Sequence, residues 1–276
     1  MEQESTQPIK LPKIGVGYRA PFSGWVSSRP AQIDCLEITA EHFFDGGEDR
    51  LRELAQQYPL YVHGLGLSLG TPGPLDQETL AAFGRVSKVA NPDWVSEHIS
   101  FTKSNEVDLG HLNPIPCTED SLRTLIDHSC EVMDHCQKPL VLENVTTFMQ
   151  LPNQIPETEF INRLCQTDGV SLLLDVTNLF INSRNHDFDP IEWLHEIDPA
   201  HIVQLHIVGY SFEHGVWQDY HSEAIQDDLL ELMEHVVAYA PVQSIIVERD
   251  GRFPPVHQMA AELDRLEMAC EAARVR

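Results

Sequence analysis

The sequence predicts an α/β fold, a (β/α)8 barrel of the TIM type. Three observations carry that expectation. Eight short apolar runs alternate with segments of helical periodicity along the chain. The inner runs, such as SLLLDV and SIIVE, are continuously apolar, the pattern of strands covered on both faces. At 276 residues the chain fits one such barrel. An open doubly wound sheet is the structural alternative, but the sequence has neither a GxGxxG nor a Walker motif to seat a nucleotide on one. Residues 1–10 read as a polar, mobile tail, which leaves 11–276 as a single catalytic domain.

The elements follow in order. Lys13–Tyr18 is a first strand, then a Gly/Pro/Ser-rich loop runs from Arg19 to Pro30. Ile33–Ile38 is the second strand. A helix between Glu48 and Tyr58 carries Leu51, Leu54 and Ala55 on one face. Leu60–Leu67 is the third strand and runs into a glycine-rich loop. Asp76 is placed to cap a helix over Gln77–Val89. Trp94–Ser100 is the fourth strand, and a long loop through His111 and Pro116 follows it. Thr118 caps a helix in which Leu122, Leu125, Ile126, Cys130 and Met133 keep helical spacing. Pro139–Val145 is the fifth strand, Glu157–Cys165 a short helix and Val170–Val176 the sixth strand. After a brief helix at Ile191–Ile197 comes the seventh strand, His201–Val208. A glycine-containing loop then leads to Asp219-Tyr220-His221. The helix Glu223–Tyr239, the eighth strand Gln243–Arg249 and the helix Val256–Ala273 complete the pattern.

Composition narrows the function classes. The formal net charge is -25, which argues against binding a phosphate backbone, where Lys and Arg must replace counterions. An acidic exterior suits a basic leader peptide or partner. The six cysteines are scattered, with no CxxC pair, and read as reduced thiols. The first residues, MEQESTQPIK, have no basic or apolar signal region, and no apolar run approaches the ~20 residues needed to cross a bilayer. These features imply a cytoplasmic protein with no membrane and no nucleic-acid partner.

In a barrel, catalytic groups come from the C-terminal ends of the strands. Here those ends carry His63, then Glu97-His98, Glu143-Asn144, Asp175 with Asn178, His206 and Glu248. Asp219 and His221 follow from the loop after strand seven. A carboxylate at a strand end is often only a helix cap or half of an ion pair, but six consecutive strands ending in metal-ligand types point to a shared site. Catalytic sites use about three protein ligands per ion, so four imidazoles and four carboxylates suggest two or three metals bridged by carboxylates. The histidines outnumber the need of a serine-type triad, and the strand ends lack the cysteines of a soft-metal or Fe–S site.

The segments GVGYR, LEITAEHF, HGLGLSLG, VSEHIS, LENV, LLLDVTN, LHIVG, Asp219-x-His221 and ERD occur in order from Gly15 to about Pro254. In these motifs the chain resembles the DUF692 family of multinuclear non-haem iron-dependent oxidative enzymes, which includes the methanobactin biosynthesis enzyme. The resemblance implies a xylose-isomerase-like TIM barrel holding two or three irons in mixed Fe(II)/Fe(III) states. It implies dioxygen as co-substrate and a ribosomally made precursor peptide as substrate, modified at a cysteine or another residue. A leader-peptide-binding partner protein is compatible with that reading. Matched motif by motif, it assigns His63, His98, Glu143, Asp175, Asn178, His206, Asp219, His221 and Glu248 as iron ligands, with Glu143, Asp175, His206 and Asp219 carrying catalysis. Glu37, Glu41 and Glu97 become supporting or substrate-facing residues. Tyr210, in HIVGY, and Tyr220, between Asp219 and His221, depart from the family pattern beside the pocket.

Two other classes fit parts of the sequence. One is a divalent-metal sugar isomerase or multi-zinc hydrolase on the same barrel. The other is a non-enzymatic peptide- or metal-binding scaffold. Metal content separates the first, and tolerance of alanine at Glu143 or His206 the second. Among remaining residues, His42, His111, His186 and His214 read as loop histidines, and Arg19, Arg249 and Lys103 either as cations available to a peptide carboxylate or as halves of ion pairs within the chain, the second reading being preferred for Lys103.

Overall fold

A computed structural model describes residues 11–104 and 107–274 of the chain. The polar tail at 1–10 lies outside the described residues. The elements are β1 (Lys13–Gly17), α1 (Ser23–Ser27), β2 (Cys35–Thr39), α2 (Glu48–Gln57), β3 (Leu60–His63), α3 (Gln77–Ala90) and β4 (Val95–His98). There follow β5 (Ser100–Ser104), β6 (Val107–Pro114), α4 (Glu119–Cys136), β7 (Leu140–Glu143), α5 (Glu157–Cys165), β8 (Val170–Asp175), α6 (Val176–His186) and α7 (Pro190–Glu196). The chain ends with β9 (Ile202–Ile207), β10 (Gly209–Glu213), β11 (Val216–Glu223), α8 (Asp227–Tyr239), β12 (Ser244–Val247) and α9 (Val256–Ala273). Eight strands close a parallel barrel in the order β1-β12-β9-β8-β7-β4-β3-β2, which removes the open-sheet alternative.

The barrel interior explains where the site lies. Side chains along a strand alternate between its two faces, so residues two apart share a face. One layer of the interior is an apolar plug of Cys35, Tyr61, Trp94, Val141, Leu173 and Ile246. Tyr61 and Trp94 stack there with ring centroids 4.6 Å apart. Two residues further along their strands stand Glu37, His63, Glu143, Asp175 and Glu248. The same step from Gln204 reaches His206, and two steps from Trp94 reach His98. Thus an apolar floor passes directly into a polar layer at the C-terminal ends of the strands. Gln204 joins the layers: its Oε1 accepts from Trp94 Nε1 at 2.5 Å, and its Nε2 donates to Glu37 Oε2 at 2.6 Å. The outer faces of the strands pack with the helices into one continuous apolar core.

The structure departs from the sequence reading in the expected loop Arg19–Pro30, which holds the short helix α1, and in three further places. The expected loop through His111 is the antiparallel hairpin β5–β6, and the expected loop after strand seven is the hairpin β10–β11. Both stand at the rim, where much of β6 and β10 faces solvent, so they lack the apolar alternation that announces a half-buried strand. The third is α6, which begins at Val176 directly after β8 and was not anticipated. Its residues from Val176 to Ser183 are all buried, which erases the polar face that marks an amphipathic helix.

Candidate metal centre

Among the described residues, four overlapping groups of ligand-type residues sit on the C-terminal rim of the barrel. They are Glu37-His63-His206, His63-His98-Glu143, Glu143-Asp175-His206-Glu248 and His221-Glu248-Asp250, with ligand atoms in each group within 4.8 Å of one another. Glu143 and His206 belong to more than one group. Glu143 Oε2 is 3.4 Å from His63 Nε2, 3.3 Å from His98 Nε2 and 3.4 Å from His206 Nδ1. Glu248 Oε2 lies 3.2 Å from His206 Nδ1 and 3.5 Å from His221 Nδ1, which links the central groups to the outer one.

The imidazoles are turned toward this centre by bonds on their far sides. His206 Nε2 meets Glu37 Oε1 at 2.9 Å, and His63 Nδ1 meets Ser96 Oγ at 2.9 Å. Such bonds fix ring orientation and leave the other nitrogen for a metal. The nitrogens left over, His63 Nε2 and His206 Nδ1, are buried and have no hydrogen-bond partner. Glu143 Oε2, Asp175 Oδ2, Asp219 Oδ2 and His221 Nδ1 are in the same condition. Buried polar atoms are nearly always satisfied, so this many orphans around one pocket fit a group that accepts all of them. The donors are nitrogen and oxygen, with no cysteine in any of the four groups, and suit a borderline divalent ion.

Electrostatics point the same way. Burial opposes ionisation of Glu143, yet His206, His98 and His63 hold its carboxyl down at about 2. Burial likewise opposes charge on Glu248, but His221 and His206 pull it well below the carboxylate range. Asp175 moves the other way, raised well above that range by burial and by the charges of Glu143 and Asp219. Burial works against protonation of His98, but Glu143 and Glu97 raise it to about 9. The cluster therefore concentrates negative charge that protons on imidazoles offset, and a bound cation would take over that role.

Local structure sets these positions. Asp175 ends β8 and caps α6, with Oδ1 accepting from Asn178 N at 2.7 Å while Oδ2 stays in the pocket. Glu41 Oε1 accepts from Leu65 N and Gly66 N, and Glu97 Oε1 from Leu67 N at 2.8 Å, so the half-buried Glu41 and the buried Glu97 hold the loop after β3. That loop needs its glycine: a Cβ at Gly64 would come 2.8 Å from Phe83 and 3.1 Å from Glu97. His221 sits at φ 50, a left-handed conformation uncommon for a residue with a side chain. Asp219 Oδ1 supports it by accepting from His221 N at 2.8 Å.

Seven of the nine residues expected as ligands, His63, His98, Glu143, Asp175, His206, His221 and Glu248, fall in the four groups. Asp219 stands beside them, with Oδ2 3.2 Å from His221 Nε2. Asn178 lines the same cavity, but its Oδ1 accepts from Thr146 Oγ1 and its Nδ2 donates to Asn144 O at 3.0 Å. In this structure its amide fastens the segment after β7. His42 and His111 line the cavity, which measures about 580 Å³, while His186 bonds Thr147 away from it. Asp250 was missed by sequence reasoning. Its signal is the alternation in ERD: Arg249 points away to Glu262 at 3.0 Å, so Glu248 and Asp250 share the pocket side. Arg249 is buried in that pair, Arg19 is held by Glu248 and Asp250, and Lys103 lies 3.5 Å from Asp76. Of the two readings of these cations, the structure favours the ion pair within the chain, already the preferred one for Lys103, over a free cation awaiting a peptide carboxylate.

Comparison with known proteins bears on the whole chain. The family model of the RiPP precursor modification enzymes MbnB/TglH/ChrH matches residues 13–271. The chain belongs to this family. A UPF0276 protein of Chromobacterium violaceum is 34% identical over 257 residues, which is 91% of this chain and 93% of that protein. The resemblance read from the motifs is thus borne out, and membership of the MbnB/TglH/ChrH family makes the chain a RiPP-modifying enzyme by family. Among solved structures, 3-keto-D-glucoside 4-epimerase from E. coli superposes with a TM-score of 0.60 at 14% identity, covering 94% of this chain and 98% of that one. A xylose isomerase domain protein from Planctomyces limnophilus gives 0.57 at 13% identity, covering 95% and 96%. At such identities the likeness establishes the fold, a xylose-isomerase-like TIM barrel. Among the described residues, no helix is long and apolar enough to cross a membrane.

Proposed function

We propose that this family member is a multinuclear iron- and dioxygen-dependent oxidative enzyme that modifies a ribosomally made peptide at a cysteine. The observation that carries the reading is the set of buried, unpartnered ligand atoms, from six residues of the rim, around one pocket. His63, His98 and Glu143 would hold one ion, and Glu143, Asp175, His206 and Glu248 a second. Asn178 and Asp219 remain in the proposed ligand set as pocket-edge donors. Bound iron would supply redox chemistry and open positions for a thiolate and dioxygen. Among the described residues no cysteine lines the cavity of the ligand groups: Cys35 lies in the barrel floor and Cys117 in the wall of the adjoining cavity, and burial pushes both thiols up, so the reacting thiol is assigned to the substrate.

The rim supports a peptide rather than a small sugar. Phe148 and Met149 are 61% and 65% exposed, and Tyr220 is 51% exposed. Phe148 lines the metal cavity, while Met149 lines an adjoining cavity of about 310 Å³ walled by Ile99, Ile115 and Phe160. Val145 borders both. A chain entering the cavity would place the reacting residue over Glu143 and a neighbouring apolar side chain in the adjoining pocket. The protein's part is then to bind and orient the peptide, to exclude water with the two hairpins, and to keep Glu143 ionised.

Coexpression with short peptides encoded beside the gene, followed by mass spectrometry, tests the reading. An oxidative mass change on a cysteine-containing peptide, lost on alkylation-blocking or replacing that cysteine, is the expected result. Modification confined to sugars or phosphodiesters, with zinc in place of iron, would contradict it.

A further inference from the structure

We propose that Arg19 is a built-in counter-cation of the outer ligand group, and that it makes a divalent ion there bind more weakly than ions in the inner groups. The proposal rests on the metal reading above. It starts from an asymmetry. In the inner groups, Glu143 faces the imidazoles of His63, His98 and His206. Each of these imidazoles can itself become a ligand of the ion. In the outer group, a guanidinium already lies on two of the three members. Arg19 Nε donates to Asp250 Oδ1, and Arg19 Nη2 is 3.4 Å from Glu248 Oε1.

Arg19 cannot become a ligand. Its guanidinium offers only N–H donors, so an incoming ion must displace the side chain bodily or tolerate a positive charge beside it. The side chain is only 11% exposed, which limits solvent screening of that repulsion. It is also held on its other side, with Nη1 donating to Tyr18 O at 3.2 Å. Gly17 leaves the room, since a Cβ there would come 3.1 Å from Nη1.

Glu248 is the shared member. Its Oε2 lies 3.2 Å from His206 Nδ1, a fully buried nitrogen without a hydrogen-bond partner, while its Oε1 faces Arg19. One oxygen thus serves the inner group and the other is taken by the guanidinium. The outer group keeps His221 Nδ1, 3.2 Å from Asp250 Oδ2, as its nitrogen donor. The site then fills in order, two inner ions before a third.

Equilibrium dialysis against Fe(II) without dioxygen, with iron counted per folded chain, tests this. Wild-type protein should hold two ions tightly and a third about tenfold more weakly, given a partly screened unit charge within a few ångströms. Arg19→Gln should tighten the third ion by about tenfold and leave the inner two unchanged, whereas Arg19→Lys should behave as wild type. Asp250→Asn should remove only the weak third ion. Three tight ions in wild type, or an Arg19→Gln titration that matches wild type or loses iron, would overturn the proposal while leaving the metal reading intact. If Arg19→Gln does not fold, Asp250→Asn decides, since loss of a tight ion there refutes the separation of inner from outer sites. Fewer than two ions in wild type would instead refute the metal reading itself.

Discussion

Single residues around the centre divide into those that face the pocket and those that aim them, and the two kinds fail differently. Glu37 is buried and bonded to both His206 Nε2 and Gln204 Nε2, so it sets the direction of a ring shared by two groups. Glu37→Gln should weaken metal binding by about 10–100-fold with little change in fold, as is usual when the group behind a ligating imidazole is altered. Competition with a chelator measures this, and unchanged affinity would show that His206 needs no such support. Trp94 works one layer lower. Trp94→Phe strands Gln204 Oε1 in the barrel, which should cost roughly 1–3 kcal/mol in urea unfolding. A neutral result would mean that Gln204 finds another donor. Much of the residue-level site was legible in sequence because inward side chains at strand ends have few alternatives. Asp250 was not, because it lies beyond the last strand residue, where only the outward turn of Arg249 reveals which way it points.

Among elements, the barrel strands were legible and the rim was not. Strands such as β8 and β12 are buried on both faces and announce themselves as unbroken apolar runs. The hairpins β5–β6 and β10–β11 bury little and carry His111, Asp219 and His221 on exposed or half-exposed backbone, so no hydrophobic pattern marks them. Helix α6 escaped for the opposite reason, since nearly every side chain in its first two turns is buried. Capped helices were easier. Asp76 does cap α3, accepting from Glu78 N at 3.2 Å and from Thr79 Oγ1 at 2.6 Å. Asp76→Ala should lower stability by about 1 kcal/mol without changing metal content, because Asp76 belongs to none of the ligand groups and does not line their cavity. Thermal unfolding and metal analysis of the same preparation check both halves. Lost metal would show that α3 also anchors the loop after β3.

At the scale of the molecule, fold and chemistry come from one repeated pattern. Each of several strands contributes an apolar residue to the barrel floor and, two positions on, a ligand-type residue to the layer above. The floor keeps water from below, the hairpins stand at the mouth, and the acidic layer between them concentrates charge that a metal would balance. Family membership accounts for the RiPP-modifying role, and the unpartnered donors account for the metals proposed to perform it. The central claim is that this layer holds more than one iron. Purification without dioxygen, iron counting per chain and Mössbauer spectroscopy test it most directly, with Glu143→Ala measured beside wild type. The expected result is at least two irons in active wild-type protein, an exchange-coupled signature, and loss of both iron and turnover in the variant. Active protein with one iron or none, or a Glu143→Ala variant that keeps its full iron content, would contradict the account.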